Sequence, residues 1–249
     1  MKRENYITRI RKKGNKEIDY SAYPFNIPAI RNFKEITLNK PVTFIVGENG
    51  MGKSTLLEAF AIHSGFNAEG GSKNFGFSTR ATHSNLSDYL TISRSYRKNK
   101  DGYFLRAESF YNVATEIQKL DEEGGFGPPI INSYGGVSLH EQSHGESFFS
   151  LFVNRFGGNG LYILDEPEAA LSPSRQMAML SRIHELVKKD SQFIIATHSP
   201  IIMAYPDADI YTISENGLHL TRYENTEHYQ ITKYFLNNTD MMLSELLVK

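Results

Sequence analysis

The apolar positions fall first into short runs. Val42-Thr-Phe-Ile-Val46 is apolar and β-branched, and reads as a strand buried on both faces. Leu161-Tyr-Ile-Leu164 and Gln192-Phe-Ile-Ile-Ala196 have the same character. Helical spacing runs from Lys53 to about Ala61. Ser172-Pro173 opens another helix, with Ser as its cap and Pro at its first position. Met177, Leu180, Ile183 and Leu186–Val187 are its expected inner face. Gly102-Tyr-Phe-Leu-Arg-Ala107 is an alternating strand candidate, with a helix expected near 110–120. Asp209–Ser214 and Leu218–Arg222 flank Asn216-Gly217, a hairpin signal. From about Glu227 the chain reads as one or two amphipathic helices. Strands alternating with helices favour an α/β sheet.

The 249 residues contain no internal repeat and no heptad run, and the expectation is one domain over 1–249. Region 66–142 is rich in Gly, Ser and Asn and reads as a variable, partly helical insert. Within it Glu123–Pro129 has the composition of a loop. With no cysteine, disulfide scaffolds, thiolate zinc sites and cysteine nucleophiles are excluded. Lys plus Arg is 27 and Asp plus Glu is 28, for a net charge of −1. That excludes a globally basic nucleic-acid binder but leaves room for a local patch. Residues 1–20 are expected to form a basic arm: Lys2, Arg3, Arg9, Arg11, Lys12, Lys13 and Lys16 cluster there. Such an arm is either solvated or touches phosphates or acidic lipid. No apolar stretch approaches the ~18 residues of a membrane span. The basic start has no apolar core behind it, so it does not read as a secretory signal, and a cytoplasmic location is the default expectation.

Four stretches carry candidate chemistry. Gly47-Glu48-Asn49-Gly50-Met51-Gly52-Lys53-Ser54 fits G-x-x-x-x-G-K-[ST], between a strand and a helix that continues with Thr55. Its glycines let the backbone turn its N–H groups inward at a helix N-terminus, which suits a nucleotide triphosphate. Lys53 is expected at the β- and γ-phosphates, and Ser54 on Mg²⁺. The run Leu161–Leu164 ends in Asp165-Glu166. In P-loop enzymes an Asp at this place holds Mg²⁺. Glu166 can then orient or deprotonate water. Gln192–Ala196 leads to Thr197-His198-Ser199-Pro200, and in doubly wound sheets ligands collect at such carboxyl ends. His198 can donate to the γ-phosphate there, and Ser199 can cap the next helix. Gln142-Ser143-His144-Gly145-Glu146 holds an S-x-x-E capping box, and a capped N-terminus bearing a hydroxyl is also an anion site.

Together the four pieces resemble the ABC-type ATPase head. The match runs from about residue 30 to 215, and Glu168-Ala-Ala-Leu-Ser-Pro173 resembles the family's D-loop. The resemblance implies a P-loop sheet with flanking antiparallel strands and a helical signature region. It implies ATP and Mg²⁺ as ligands, and a head-to-tail homodimer that buries ATP between two chains. Each nucleotide would then lie on one loop and under Ser143 and Gly145 of the other copy. This signature turn differs from the transporter form Leu-Ser-Gly-Gly-Gln, with His144 in place of the first Gly. At the Q-loop place stands Glu108, either a surface acid or an acceptor for metal-bound water. Tyr20, Tyr23 and Phe25 are the candidates for stacking adenine. Gly-Glu-Asn-Gly, Asp-Glu-Pro-Glu and Ala-Thr-His-Ser-Pro are closest to the non-transporter branch of SMC, RecF and OLD proteins. The expected function is a stand-alone cytosolic ATPase acting on a macromolecule such as nucleic acid, supported by this likeness and by the basic arm, although the resemblance itself does not name what is acted on. The alternative is the ATPase subunit of a membrane ABC transporter with a separate permease chain.

Overall fold

The computed structural model describes residues 4–73, 84–124 and 127–247. Three apolar runs become adjacent parallel strands: β3 (Val42–Val46), β6 (Gly160–Asp165) and β7 (Gln192–Ala196). They sit inside a six-stranded sheet of order β5-β6-β7-β3-β8-β9. β5 is Asp101–Arg106, β8 is Asp209–Ser214, and β9 is Gly217–Thr221, the antiparallel edge. The three inner runs read as unbroken apolar stretches because the sheet is covered on both faces. Val42, Phe44, Tyr162, Leu164, Phe193 and Ile195 enter one core. Helix α3 (Phe110–Glu123) and helix α5 (Pro173–Lys188) cover that side. Ile45, Ile163, Ile194 and Ala196 enter the other core, under helix α2 (Lys53–His63).

That second core is closed by a separate sheet, β2-β1-β4, built from Glu35–Thr37, Ile7–Lys12 and Leu90–Arg94. Part of the basic arm, Ile7–Lys12, is therefore a strand. Ile7 and Ile10 are fully buried, and a register shift between Ile7 and Arg9 lets both face inward although they are three residues apart. The Gln192 amide ties the two sheets: it accepts from Ile7 N–H at 2.9 Å and donates to Ile7 C=O at 2.8 Å. Several arm cations are spent locally, Lys12 on the Arg31 carbonyl and Lys13 on that of Asp88. Lys2 and Arg3 lie outside the described residues.

Region 66–142 is not a separate insert, since it supplies β4 to one sheet and β5 to the other. Its helix runs on to Glu123, and Gly125 and Phe126 lie outside the described residues. The inner face of α5 is Met179, Ile183 and Leu186, while Met177 points outward. The hairpin pairs Ser214 with Gly217, so its two-residue turn is Glu215-Asn216, one position before the expected pair. Short helices α1 (Pro28–Asn32), α4 (His144–Ser150) and α6 (Pro200–Met203) complete the body, with α7 (Glu227–Asn237) and α8 (Thr239–Leu246) at the C-terminal end. No helix among the described residues is long and apolar enough to cross a membrane.

Candidate functional site

The carboxyl ends of β3, β7 and β6 are neighbours in the sheet, and each ends in polar residues. Parallel strands all finish on the same edge, so three distant motifs meet there without any loop having to reach.

β3 leads into the loop Gly47–Gly52, where Gly47, Gly50 and Gly52 have φ of 145°, 79° and 93°. Only glycine adopts these angles without strain. At Gly47 space adds a second constraint, because a Cβ would lie 2.7 Å from the Ile213 carbonyl oxygen. Glu48, Asn49 and Gly50 are exposed, and Met51 packs partly against the second core. Lys53 is 4% exposed and donates to the carbonyls of Gly47 and Glu48, both at 2.9 Å. Burial pulls its pKa down, against the upward pull of Glu166, Asp165 and Glu168. The ammonium therefore sits in a ring of acceptors that hold the loop closed on itself. Thr55 Oγ1 lies 3.2 Å from the hydroxyl of Tyr23, whose ring is 60% exposed. Of the other stacking candidates, Phe25 is buried against Tyr89, and Tyr20 faces Lys12 and Arg31.

Ser54 Oγ donates to Asp165 Oδ1 at 3.1 Å, joining α2 to the end of β6. Burial pushes the Asp165 pKa up to about 7, although the Ser54 hydroxyl and the Arg106 guanidinium pull it down. Arg106, at the end of the neighbouring β5, is 4.0 Å from Asp165 through Nε and is drawn instead to Glu58 of α2 at 2.8 Å. A buried carboxylate beside a hydroxyl is an oxygen donor set that suits a hard dication. Glu166 follows with φ of +50°, and its N–H donates to the Ala196 carbonyl at 2.9 Å. A non-glycine residue held there costs about 1–2 kcal/mol.

His198 stands at the end of β7, with Nε2 3.4 Å from Glu166 Oε1. Its backbone N–H donates to Glu168 Oε1 at 2.6 Å, so the expected D-loop residue positions the histidine. Glu168 Oε2 and His198 Nε2 are buried without a hydrogen bond of good geometry. Glu108 is 84% exposed and lies 3.5 Å from Arg106. It shares with Glu166 the lining of a cavity of about 480 Å³ walled by Phe110, Leu139 and Phe148.

The signature turn behaves as a helix cap. Ser143 Oγ and Ser143 N–H both donate to Glu146 Oε2, at 2.7 and 3.1 Å. A Cβ on Gly145 would lie 2.8 Å from the Ala170 carbonyl oxygen, so the turn packs closely on the segment after Asp165-Glu166. The helix it opens continues as a wide π turn over Leu151–Arg155. The chain thus brings Lys53, Ser54, Asp165, Glu166 and His198 together, while Ser143 is exposed on an adjoining turn whose Gly145 packs against Ala170. Arg106, Glu58 and His228 carry no motif. The only sequence signal for Arg106 is its place at a strand end beside the acidic pair.

The family profile of the AAA domain (AAA_23) matches residues 25–196. Two curated proteins are similar. ABC transporter G family member STR2 of Medicago truncatula is 26% identical over 172 residues, which is 64% of this chain and 24% of that protein. Chromosome partition protein Smc of Methanocaldococcus jannaschii is 24% identical over 153 residues, 52% of this chain and 13% of that protein. The chain therefore spans a quarter or less of the length of these relatives. Among solved structures, a nucleotide-free ATP-binding cassette from an ABC transporter superposes with a TM-score of 0.50 at 17% identity, covering 95% of this chain and 97% of that one. The SMC head domain from Thermotoga maritima has a TM-score of 0.42 at 17% identity, covering 87% and 98%.

Proposed function

The chain belongs to the AAA domain family, as an ABC-type P-loop ATPase related to the SMC proteins, and from that premise we propose that it hydrolyses ATP with Mg²⁺ between two copies of itself. The observation that carries the reading is the meeting of Ser54, Asp165, Glu166 and His198 at one sheet edge, beside a lysine buried in the loop.

Placement supports each role. Lys53 exchanges the carbonyls of Gly47 and Glu48 for β- and γ-phosphate oxygens, and the loop N–H groups from Glu48 to Thr55 cradle the phosphates. Ser54 and Asp165 would hold Mg²⁺, with Glu108 reaching it through water. The ion supplies charge neutralisation of the phosphates when bound. Glu166 orients the attacking water and accepts its proton, and His198 donates to the γ-phosphate. Tyr23, exposed beside Thr55, is the best-placed of the three aromatics to stack adenine. Ser143 and Gly145 reach the nucleotide of a second copy, which the exposure of Ser143 permits.

ATP binding and phosphate release in three proteins test this. Wild type binds and turns over. Lys53→Ala loses binding. Glu166→Gln keeps binding and loses turnover by roughly 10²–10⁴-fold. Wild-type turnover by Glu166→Gln would remove Glu166 from the mechanism.

For the macromolecule acted on, nucleic acid is the first choice, supported by the likeness to a chromosome partition protein. Transport is the second, supported by the likeness to STR2. A DNA affinity that falls steeply with salt favours the first. Co-purification with a membrane-spanning chain favours the second.

A further inference from the structure

His228 stands in the first turn of α7, beyond the residues that the family profile covers. Its Nε2 lies 2.8 Å from His198 Nδ1, and the two rings meet edge to face. On the other side of the His198 ring, Nε2 is buried and faces Glu166 Oε1 at 3.4 Å. A contact between two imidazole nitrogens needs one N–H and one lone pair. Carboxylate oxygens offer lone pairs, so the contact at 3.4 Å is favourable when the His198 nitrogen facing Glu166 carries hydrogen. Burial, then the charge of Lys53, disfavours the protonated form of His198, and the same two causes act on His228. A neutral His198 with hydrogen on Nε2 has a bare Nδ1, so the hydrogen in the 2.8 Å contact comes from His228. The reverse arrangement sets a lone pair against the Glu166 carboxylate.

We propose that His228 is a positioning residue, whose Nε2–H holds His198 in the Nε2–H tautomer and aims that N–H at Glu166. Only the kinetic consequence rests on the ATPase reading.

The test is ¹⁵N-histidine NMR of the nucleotide-free protein, with the His198 signals assigned by a His198→Ala spectrum. Wild type should show His198 protonated at Nε2. His228→Phe keeps a ring and removes the donor, and should shift His198 towards a mixture of tautomers. His228→Gln places an amide N–H near the lost Nε2 and should restore the wild-type pattern. In turnover, His228→Phe should lower kcat by roughly 10–100-fold, the range for outer partners of a catalytic histidine's kind. ATP affinity and thermal midpoint should stay unchanged, and His228→Gln should recover most of the rate. A wild-type His198 protonated at Nδ1 overturns the proposal even if both variants fail to fold. So does a His228→Phe protein with wild-type tautomer and rate. If wild type binds ATP but never hydrolyses it, the ATPase reading fails and the spectra decide the tautomer alone.

Discussion

Asp165 is the residue whose environment asks most for a ligand. Its carboxyl is buried, and its pKa is pushed up to about 7 against an unfolded value near 4. The folded chain thus binds a proton that the unfolded chain has released. By linkage the contribution of this group to stability falls as pH rises from about 4 to 7 and is lowest above that. Three pKa units correspond to a cost on the order of 4 kcal/mol for the ionised form. Asp165→Asn removes that cost and the anion together. At pH 8 the variant should melt several degrees above wild type without nucleotide, and should gain nothing further from Mg·ATP. Differential scanning fluorimetry with and without Mg·ATP reads both. A variant less stable than wild type at pH 8 would contradict the burial argument. The residues of this site were unequally legible. Gly47–Ser54 is contiguous, so its chemistry lies on the page in order, and Asp165-Glu166 and His198 are marked by the apolar strands before them. Arg106, Glu58 and His228 come one from each of three elements, and only the folded chain puts them beside the motifs.

Among the elements, the strands buried on both faces were the plainest to read, because continuous burial leaves no polar position to blur the pattern. β3 and β7 have the bounds their apolar runs suggest. The small sheet was hidden for the opposite reason. β1 alternates Ile with Arg and Lys, and the shift between Ile7 and Arg9 breaks the two-residue period, so it resembled a charged arm. What holds it is visible in the structure. The buried Gln192 amide satisfies both backbone groups of Ile7. Gln192→Leu keeps similar volume and leaves that N–H and C=O without partners. Each buried orphan costs about 1–3 kcal/mol, so urea unfolding should show a loss of about 2–6 kcal/mol. A loss under ~1 kcal/mol would mean that water or a shifted strand replaces the amide.

β5 and β6 are held to the π turn by a second polar cluster. Asp101 lies 2.9 Å from Arg155, accepts from the Tyr162 hydroxyl at 2.7 Å and from Gly157 N–H at 3.2 Å. Burial alone would raise its pKa, but Arg155 and these two donors outweigh it and hold the carboxyl below the usual range. The stabilisation is then present above the unfolded value near 4 and is lost as pH falls through the lowered folded value. Wild type should therefore lose more stability than Asp101→Asn between pH 5 and 3, and the variant should be less stable at neutral pH. Melting curves across that range check the sign. Parallel pH profiles for the two proteins would show that the ion pair contributes nothing.

On the scale of the whole molecule, the two cores on either side of the six-stranded sheet make one edge rigid, and that edge carries Lys53, Ser54, Asp165, Glu166 and His198. Ser143 and Gly145 stand apart on the α4 turn, with the Ser143 hydroxyl occupied by Glu146 of its own helix. A single copy therefore presents the Gly47–Ser54 loop and, separately, a turn whose Ser143 donors are held by Glu146, and on the proposed reading a second copy draws those donors onto its nucleotide. Two copies facing head to tail would satisfy both. Ligand that binds only the closed pair stabilises it by its differential affinity. We propose that ATP closes two of these heads on each other, and Glu166→Gln is the protein in which the closed state would persist. Its molar mass by light scattering, with and without Mg·ATP, is the direct measurement. The expected result is a monomer that becomes a dimer on adding Mg·ATP and fails to do so once Ser143 is also changed to Arg. A mass that stays monomeric while ATP is demonstrably bound would contradict the account.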